Sequence, residues 1–534
     1  MVAEGEIFPD NGGESDNFGA EHALVLILLL FLCTLSGYLI RQSNFHYLPE
    51  SGAHMLIGIV AGGFLRIFSS TRELAYIQFN PSVFFFVLLP PIIFEAGYTM
   101  KKKRFFKNVF SILCYAILGT FISTFVVGYF TYGAAKIGII SIDASSPLQS
   151  LLFGSLISSV DPVATLAIIG KPEMRCDPLL YSLVFGESVL NDAVAIVLFH
   201  VFNKYQGSHE EFNGSDTGWL LLEFLGISCS SVAVGIGVGL LCSIVFKKSN
   251  ISAYHTYEVE LLFLFTFGCF ALAEIWELSG VVALFFFAIT LSHYNYYNMS
   301  EQSKISSTYV FEALAKGSES LVFLYMGISV FSSKAKWDVP FLILGVLFCV
   351  AGRVCNILPM SFLANIKRTK KISRNMQVFM CFAGLRGAVS YALSTQLVAG
   401  DRRGIEAIQT TTMGIIVCTT FILGGSTERV LDRLKLKNSA DDASSPRNEH
   451  SYGYQLHEDY ANGGGASSTS SALHSNLSSS FLSNPSSHLL RRNSFHSWWR
   501  NFDDKFMKPA FGGDNEYLRM PPESDQLVQD LSHA

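Results

Sequence analysis

The chain has 534 residues, of which 50 % are hydrophobic and 15 % are charged, whereas soluble domains carry about 25 % charged residues. This composition excludes an ordinary soluble protein and predicts an all-α polytopic membrane protein with a polar tail. The formal net charge of −5 gives no sign of nucleic-acid binding.

The N-terminal segment is acidic, because residues 1–21 contain six Asp or Glu residues and no Lys or Arg. The apolar segment that follows therefore lacks the basic region of a signal peptide, and we expect it to be retained as a membrane helix. We expect residues 1–21 to lie in the lumen and residues 22–427 to form the membrane domain. Residues 428–534 are expected to form a cytosolic, largely disordered tail.

Thirteen apolar segments are long enough to cross a bilayer, which takes about 20 helical residues. They are His22–Ile40, Tyr47–Phe68, Pro81–Tyr98, Phe105–Tyr132, Pro147–Gly170, Leu179–Phe202, Thr217–Phe246, Thr256–Trp276, Leu278–Tyr297, Tyr309–Phe331, Val339–Leu363, Arg374–Ala399 and Ile405–Leu423. Loops that face the cytosol in this arrangement carry roughly twice as many Lys and Arg residues as the opposite loops, in agreement with the positive-inside rule. The odd number of spans places the tail in the cytosol and the sequon of Asn213 in the lumen, where glycosylation is possible.

The third span contains a double proline, which must bend the helix because proline removes a backbone donor. Its surface is a candidate inhibitor-binding motif, formed by Phe86, Leu89, Pro90, Pro91 and Phe94. A kinked helix that serves only packing is an equally good interpretation.

The fifth span carries Asp161 near its centre, followed directly by Pro162. Proline breaks the helix, and the carbonyl groups that it frees inside a membrane must face protein or a water-filled cavity. These carbonyls, the carboxylate and the hydroxyl group of Ser158 are hard oxygen ligands, which suit a small cation. The sequence therefore predicts that this break lines an ion site.

The sixth span is unusually polar, since it contains Glu187, Ser188, Asn191 and Asp192. A charged side chain at the centre of a bilayer costs about 2.5–3.5 kcal/mol, and such residues usually mark a path for ions or protons. Helical spacing places Glu187 and Asn191 on one face of the helix, and Ser188 and Asp192 on another. The two neighbouring spans each carry a mid-membrane aspartate, so we expect Asp161 and Asp192 to share one ion or proton site. A structural carboxylate paired with a base is the alternative.

Two buried arginines require partners. Arg386 lies among glycines in the twelfth span, and we expect Glu187 to pair with it, which leaves Asp192 free to bind a proton or a cation. Glu319 in the tenth span and Arg353 in the eleventh form a second candidate pair, for which we expect a structural role.

The fifth and twelfth spans are both interrupted, the fifth at Asp161 and the twelfth between Gly384 and Gly387. Because they are seven spans apart, they cross the membrane in opposite directions. Spans one to six and eight to thirteen are then related by a pseudo-two-fold axis in the membrane plane. Paired broken helices of this kind indicate a transporter site at the midplane.

The tail begins with Glu428–Lys437, for which a short amphipathic helix is predicted. Residues 438–492 are rich in Ser, Gly and Asn and are expected to be disordered. An aromatic and basic segment follows at Trp498–Phe511, which can dock either on the membrane or on the transporter body.

These motifs resemble those of the eukaryotic sodium/proton exchangers, a branch of the monovalent cation/proton antiporters. The matching stretches are Leu88–Phe94, Val160–Ala164, Phe185–Asp192 and Gly384–Ala388. The segments His46–Ser51 and Phe502–Phe506 are similar to those of the Golgi and endosomal members. The resemblance implies an NhaA-like antiporter fold, a homodimer, and a core bundle that moves against a dimerisation bundle. It also implies that Asp192 carries the ion and the proton, with Asp161 and Asn191 beside it.

The function predicted from these observations is exchange of H⁺ for Na⁺ or K⁺ across a Golgi, trans-Golgi or endosomal membrane, which regulates luminal pH and cation content. The plasma membrane is the alternative location, no cofactor is expected, and membrane lipid surrounds the protein. Because Asn191 stands in place of a second titratable group, one-for-one electroneutral exchange is expected. A cation channel and an intramembrane aspartyl protease are the rival functions. Interrupted helices disfavour the channel, and the Gly-x-Gly-Asp motif of those proteases is absent at both aspartates.

Overall fold

The computed structural model describes residues 20–43, 48–68, 79–161, 163–170, 174, 176–207, 216–331, 337–366, 368, 370–397, 402–436, 499 and 502–512. Pro162, Asn213, most of the predicted luminal segment and most of the tail lie outside these residues. All regular secondary structure within the described residues is helical, as the composition predicts.

The helices are numbered here in chain order. They are α1 Ala20–Ser43, α2 Glu50–Phe68, α3 Pro81–Thr99, α4 Lys102–Lys136, α5 Leu148–Ser158, α6 Val163–Ile169, α7 Pro178–Gly207, α8 Asp216–Lys248, α9 His255–Ile275, α10 Gly280–Tyr294, α11 Glu301–Ser329, α12 Val339–Asn365, α13 Arg374–Phe382, α14 Ala388–Thr395, α15 Arg402–Arg433 and α16 Lys508–Phe511. Three of the long helices contain a π-helical turn, at Phe84–Leu88 in α3, Cys114–Leu118 in α4 and Thr420–Gly424 in α15.

Within the described residues, eight helical segments are long and apolar enough to cross a membrane: α1, α3, α4, α5 with α6, α7, α8, α12 and α15. The other five predicted spans coincide with α2, α9, α10, α11 and the α13–α14 pair. These five are shorter, interrupted or richer in polar residues. Each predicted span therefore has a helical counterpart.

The membrane helices pack into two bundles. Helices α1–α3 and α8–α11 form the scaffold bundle, and helices α4–α7 and α12–α15 form the core bundle. Spans one to three and eight to ten thus lie together, as do spans four to six and eleven to thirteen. This division is the one that an inverted repeat of six spans predicts.

Small residues let the helices approach closely inside each bundle. In the scaffold bundle a Cβ atom on Gly58 of α2 would lie 2.3 Å from the carbonyl oxygen of Leu324 on α11. In the core bundle a Cβ atom on Gly154 of α5 would lie 2.3 Å from the carbonyl oxygen of Thr124 on α4. Close packing of this kind replaces the hydrophobic driving force that lipid cannot supply.

The two bundles meet along a limited set of contacts. Helix α14 touches α11 and the start of α3, α7 touches α8 and α10, and α2 touches α6 and α15. Polar links also cross this interface. The hydroxyl group of Tyr391 on α14 hydrogen-bonds to that of Ser329 on α11. Nζ of Lys204 on α7 donates a hydrogen bond of 2.8 Å to Oε1 of Glu223 on α8, and Nζ of Lys102 on α4 donates one to the carbonyl oxygen of Ser292 on α10. The ring of Phe79 stands edge-on to Tyr391 with ring centroids 5.0 Å apart.

Trp499 and residues 502–507 belong to a separate small unit of the tail. It contains a π-helical turn at Asp503–Met507. Its aromatic rings pack on one another, with centroids 5.9 Å apart for Trp499 and Phe502 and 5.5 Å apart for Phe502 and Phe506.

Candidate ion-binding site

The two predicted helix breaks lie against each other in the core bundle. Helix α5 ends at Ser158 and α6 begins at Val163, while α13 ends at Phe382 and α14 begins at Ala388. The backbone nitrogen of Asp161 donates a hydrogen bond of 3.0 Å to the carbonyl oxygen of Leu385, so the two extended segments touch. The prediction of paired broken helices is confirmed.

The carboxylate of Asp161 joins the starts of two half-helices. Its Oδ1 accepts a hydrogen bond of 3.1 Å from the backbone nitrogen of Val163, and the carboxylate also accepts one from the backbone nitrogen of Ala388. Helix N-termini carry partial positive charge and unpaired N–H groups, which a carboxylate stabilises. Gly387 makes this approach possible, because a Cβ atom there would lie 2.1 Å from Oδ2 of Asp161.

Arg386 lies at the C-terminal end of a half-helix. Its side chain is 1 % exposed, and Nη1 donates hydrogen bonds of 3.1 Å and 3.0 Å to the carbonyl oxygens of Ser158 and Ser159. These carbonyls close the C-terminal end of α5, where a positive charge is favourable. The predicted ion pair between Arg386 and Glu187 is therefore wrong, since freed backbone carbonyls bind the guanidinium group instead.

Glu187 pairs with Arg353, which corrects both predicted pairings. The Oε1 atom of Glu187 on α7 lies 2.5 Å from Nη1 of Arg353 on α12. Nη2 of Arg353 donates a further hydrogen bond of 2.6 Å to the carbonyl oxygen of Met380 at the end of α13. Both side chains are buried, and the pair joins three helices of the core bundle. Glu319 lies on α11 of the scaffold bundle and is not the partner of Arg353.

Asp192 and Asn191 lie on α7 beside the crossing of the two breaks. Asp192 is partly exposed and lies within electrostatic reach of both Asp161 and Arg386. Asn191 is 1 % exposed, and its amide oxygen and nitrogen have no hydrogen-bond partner among the described residues. A buried amide without a protein partner is a candidate ligand for a water or an ion. Ser188 fixes α7 here by donating a hydrogen bond of 3.1 Å to the carbonyl oxygen of Val160.

Several hydroxyl groups around the crossing were not singled out from the sequence. Ser159 and Ser390 hydrogen-bond to each other across the breaks at 2.7 Å, and the backbone nitrogen of Arg386 donates to Oγ1 of Thr419 at 3.3 Å. The hydroxyl group of Ser158 donates to its own helix at the carbonyl of Ser155. Ser158 therefore offers Arg386 its carbonyl group, while its hydroxyl group is engaged elsewhere. The signal in the sequence was the density of Ser and Thr next to each interruption.

Glu319 faces the same region from the scaffold bundle. The charged groups within its electrostatic reach are Asp161 of the core bundle and Glu50, Glu95 and Lys316 of the scaffold bundle. Its predicted pairing with Arg353 is wrong, and its supporting role near the site stays a prediction.

The candidate inhibitor motif lies in α3 of the scaffold bundle. Leu89, Pro90, Pro91 and Phe94 are buried, and the ring centroid of Phe94 lies 4.2 Å from that of Phe311 on α11. The two prolines occupy the first turn that follows the π-helical segment, where their missing N–H groups are tolerated. Phe86 is 51 % exposed and packs edge-on against Phe270. This geometry gives the motif a packing role, and an inhibitor surface stays a prediction.

The charges at the crossing sum to a small value. Asp161 and Asp192 contribute two negative charges and Arg386 contributes one positive charge, while Glu187 and Arg353 neutralise each other. The core-bundle groups at the crossing therefore carry one formal negative charge, which a single proton or monovalent cation would balance. Glu319 of the scaffold bundle is a further carboxyl group within electrostatic reach of Asp161.

The comparison with known families decides the class of protein. Residues 27–433 match the family model described as "Sodium/hydrogen exchanger, transmembrane". The chain belongs to the sodium/hydrogen exchanger family. The match covers the whole membrane domain except its first residues, and it confirms the family predicted from the sequence motifs. The family consists of transporters.

Individual exchangers match over most of the chain. Mouse Sodium/hydrogen exchanger 8 is 37 % identical over 409 residues, which cover 75 % of this chain and 70 % of the mouse protein. Human Sodium/hydrogen exchanger 9 is 35 % identical over 480 residues, which cover 79 % of this chain and 74 % of the human protein.

A solved structure supports the fold. The sodium proton antiporter MjNhaP1 from Methanocaldococcus jannaschii superposes on this exchanger with a TM-score of 0.58 and 18 % sequence identity. The likeness covers 78 % of this chain and 98 % of the archaeal chain. At this identity it confirms the antiporter fold and carries no residue roles.

Proposed function

We propose that this exchanger swaps protons for Na⁺ or K⁺ across an endomembrane, with one proton moved for each cation. The observation that carries the proposal is the position of Asp192, which lies beside two crossed helix breaks. The formal charges of Asp161 and Arg386 cancel there, so the negative charge of Asp192 is left over. A site of this kind binds one proton or one monovalent cation, but not both. Exchange follows when only the neutralised site crosses between the two faces of the membrane.

Each residue at the crossing has a separate task in this mechanism. Asp192 binds either the proton or the cation, and the unpartnered amide oxygen of Asn191 supplies a second ligand to a dehydrated cation. Asp161 holds the N-termini of α6 and α14 together, and Arg386 holds the C-terminus of α5. These two residues keep the carbonyl and hydroxyl oxygens in place while α7 binds the ion. Preorganised oxygens are what a hard monovalent cation requires.

The division into two bundles suggests how access alternates. The site lies in the core bundle, which meets the scaffold bundle along few elements. Movement of the core bundle against the scaffold bundle would expose Asp192 to each face in turn. We propose that the scaffold bundle also forms a homodimer, since its helix α1 exposes large apolar side chains such as Ile27, Phe31 and Tyr38 that must face lipid or a second copy.

The proposed location is a Golgi, trans-Golgi or endosomal membrane, with the tail in the cytosol. The sequence resemblance to the Golgi and endosomal members supports this location, and the excess of Lys and Arg in one set of loops supports the sidedness. The site and the charge balance hold equally for Na⁺ and K⁺, so both are proposed substrates.

Reconstitution tests the function directly. The purified full chain is placed in liposomes that contain a pH-sensitive dye, and Na⁺, K⁺ and Li⁺ are added outside in separate experiments. The expected result is release of protons from the lumen when Na⁺ or K⁺ is added, with no electrical current. A cation current that needs no proton gradient would instead identify a channel.

A further inference from the structure

A short tail helix lies against the scaffold bundle, although it is separated from the membrane domain by many residues of the tail. Helix α16 places its residues against the end of α8 and the segment that follows α10. Nζ of Lys247 donates a hydrogen bond of 2.5 Å to the carbonyl oxygen of Pro509. Nδ2 of Asn298 donates one of 2.8 Å to the carbonyl oxygen of Phe511. The tail is therefore in direct contact with the transporter at this point.

The contact has the chemistry of a specific recognition site. The last carbonyl groups of a helix have no partner within it, and Lys508–Phe511 is the last turn of this helical segment. Lys247 and Asn298 donate to two such carbonyls, and a cation near a helix C-terminus also interacts favourably with its dipole. The helix is closed by Gly512, whose backbone nitrogen donates a hydrogen bond of 2.7 Å to the carbonyl oxygen of Lys508.

The receptor residues are also held by contacts within the scaffold bundle. Besides binding Phe511, the same amide group of Asn298 donates a hydrogen bond of 3.2 Å to the carbonyl oxygen of Ser243 on α8, which anchors its side chain. Tyr294 at the end of α10 is 7 % exposed, and its ring centroid lies 6.1 Å from that of Phe511. A half-buried aromatic side chain against a fixed ring adds an apolar anchor to the two polar contacts.

We propose that residues 508–512 are a docking segment and that Lys247, Tyr294 and Asn298 form its receptor on the scaffold bundle. Two polar contacts and one aromatic contact hold the segment, and they come from the end of α8, the end of α10 and the segment that follows α10.

Photocrosslinking in the full-length protein tests the docking. The substitution Phe511→p-benzoylphenylalanine places a photoreactive group at the contact, and the expected crosslinked peptide contains Tyr294 or Asn298. Adding Lys247→Ala or Asn298→Ala should lower the crosslink yield strongly. Lys248→Ala is the matched control, because Lys248 is the exposed neighbour of Lys247 and should leave the yield unchanged. Crosslinking does not depend on transport, so its result stands apart from any failure of the proposed exchange. A crosslink to another region, or equal yields in all variants, would overturn the docking site.

Discussion

Oε1 of Glu187 and Nη1 of Arg353 lie 2.5 Å apart in the interior of the core bundle. This ion pair joins α7, which carries Asp192, to α12, and a second hydrogen bond from Arg353 reaches the carbonyl oxygen of Met380 at the end of α13. It therefore positions the helix of Asp192 without placing its positive charge on that carboxylate. Arg386, the other buried arginine, is bound to the carbonyl oxygens at the end of α5.

Removing one partner of this pair should destabilise the protein strongly. Glu187→Gln or Arg353→Met leaves one buried charge without its partner, which typically costs about 3–5 kcal/mol. The double variant should recover part of the loss, because no unpaired charge remains. Thermal unfolding of the four proteins in detergent gives the double-mutant cycle. Additive losses would show that the two residues do not act as a pair.

The control for this cycle is an exposed pair of the same type. Glu50 and Arg41 form an ion pair whose side chains are 31 % and 58 % exposed. Glu50→Gln should change the stability by less than about 1 kcal/mol, since exposed pairs contribute little.

A methyl group at position 387 should separate the two helix breaks. In Gly387→Ala the new Cβ atom would lie 2.1 Å from Oδ2 of Asp161, far inside van der Waals contact. Either the carboxylate loses its hydrogen bond to the start of α14 or the breaks move apart, so exchange should be lost. Gly317→Ala on α11 is the matched control, because no atom lies within 4 Å of a Cβ atom there. Normal flux from Gly387→Ala liposomes would argue against this geometry.

The hydrogen bond between Tyr391 and Ser329 should influence the movement of the core bundle against the scaffold bundle. The hydroxyl group of Ser329 donates to the carbonyl oxygen of Tyr325, so Tyr391 donates to Ser329 across the bundle interface. Tyr391→Phe keeps the ring against Phe79 and removes a hydrogen bond worth roughly 1 kcal/mol. We expect Tyr391→Phe and Ser329→Ala to change the exchange rate equally, and the double variant to equal either one.

The control for the Tyr391 and Ser329 variants is measured in the same flux experiment. Ser320→Ala removes a hydroxyl group from the same helix whose partner, the carbonyl of Lys316, lies within that helix. It should leave the rate unchanged. If the effects of Tyr391→Phe and Ser329→Ala add in the double variant, the two hydroxyl groups act independently and the link has no role in the movement.

The voltage dependence of exchange depends on the residue beside Asp192. With Asn at position 191 the site releases one proton for one cation, so the rate in wild-type liposomes should not respond to an imposed potential. Asn191→Asp adds a second carboxylate, and two like charges at close range disfavour the simultaneous ionisation of both. The variant can then carry two protons and should become voltage-sensitive. Flux is compared at zero potential and at about −100 mV, where one charge is worth about 2.3 kcal/mol. A voltage-sensitive wild type would contradict the one-proton mechanism.

The helix breaks could be predicted from the sequence because their causes are local. A proline directly after Asp161, and two glycines around Arg386, interrupt a backbone ladder whatever the surrounding fold. The membrane class, the spans and the clustering of polar residues on α7 are equally local, since they follow from runs of apolar residues and from helical spacing. All of these predictions agree with the structure.

The ion pairs could not be predicted in the same way. Arg353 and Arg386 could each pair with Glu187 or Glu319, and the choice depends on which helices meet in space. Arg353 reaches Glu187 because α12 and α7 both belong to the core bundle. Arg386 lies in an interrupted segment, where free carbonyl groups compete with carboxylates for a guanidinium group. The position of Arg386 between two glycines of an interrupted helix was the sequence feature that would have predicted its binding to free carbonyl groups at a helix end.

The central claim is that Asp192 carries both the proton and the cation. Asp192→Asn should fold and reach the membrane with normal yield, because an amide of the same size replaces a partly exposed carboxylate, yet it should show no cation-driven proton flux. Asp177→Asn is the matched control, since Asp177 pairs with Lys370 outside the helices and should retain wild-type flux. The decisive measurement is the dye response of Asp192→Asn liposomes to a step of Na⁺ or K⁺. The account predicts no response, and a proton flux comparable to that of the wild type would contradict it.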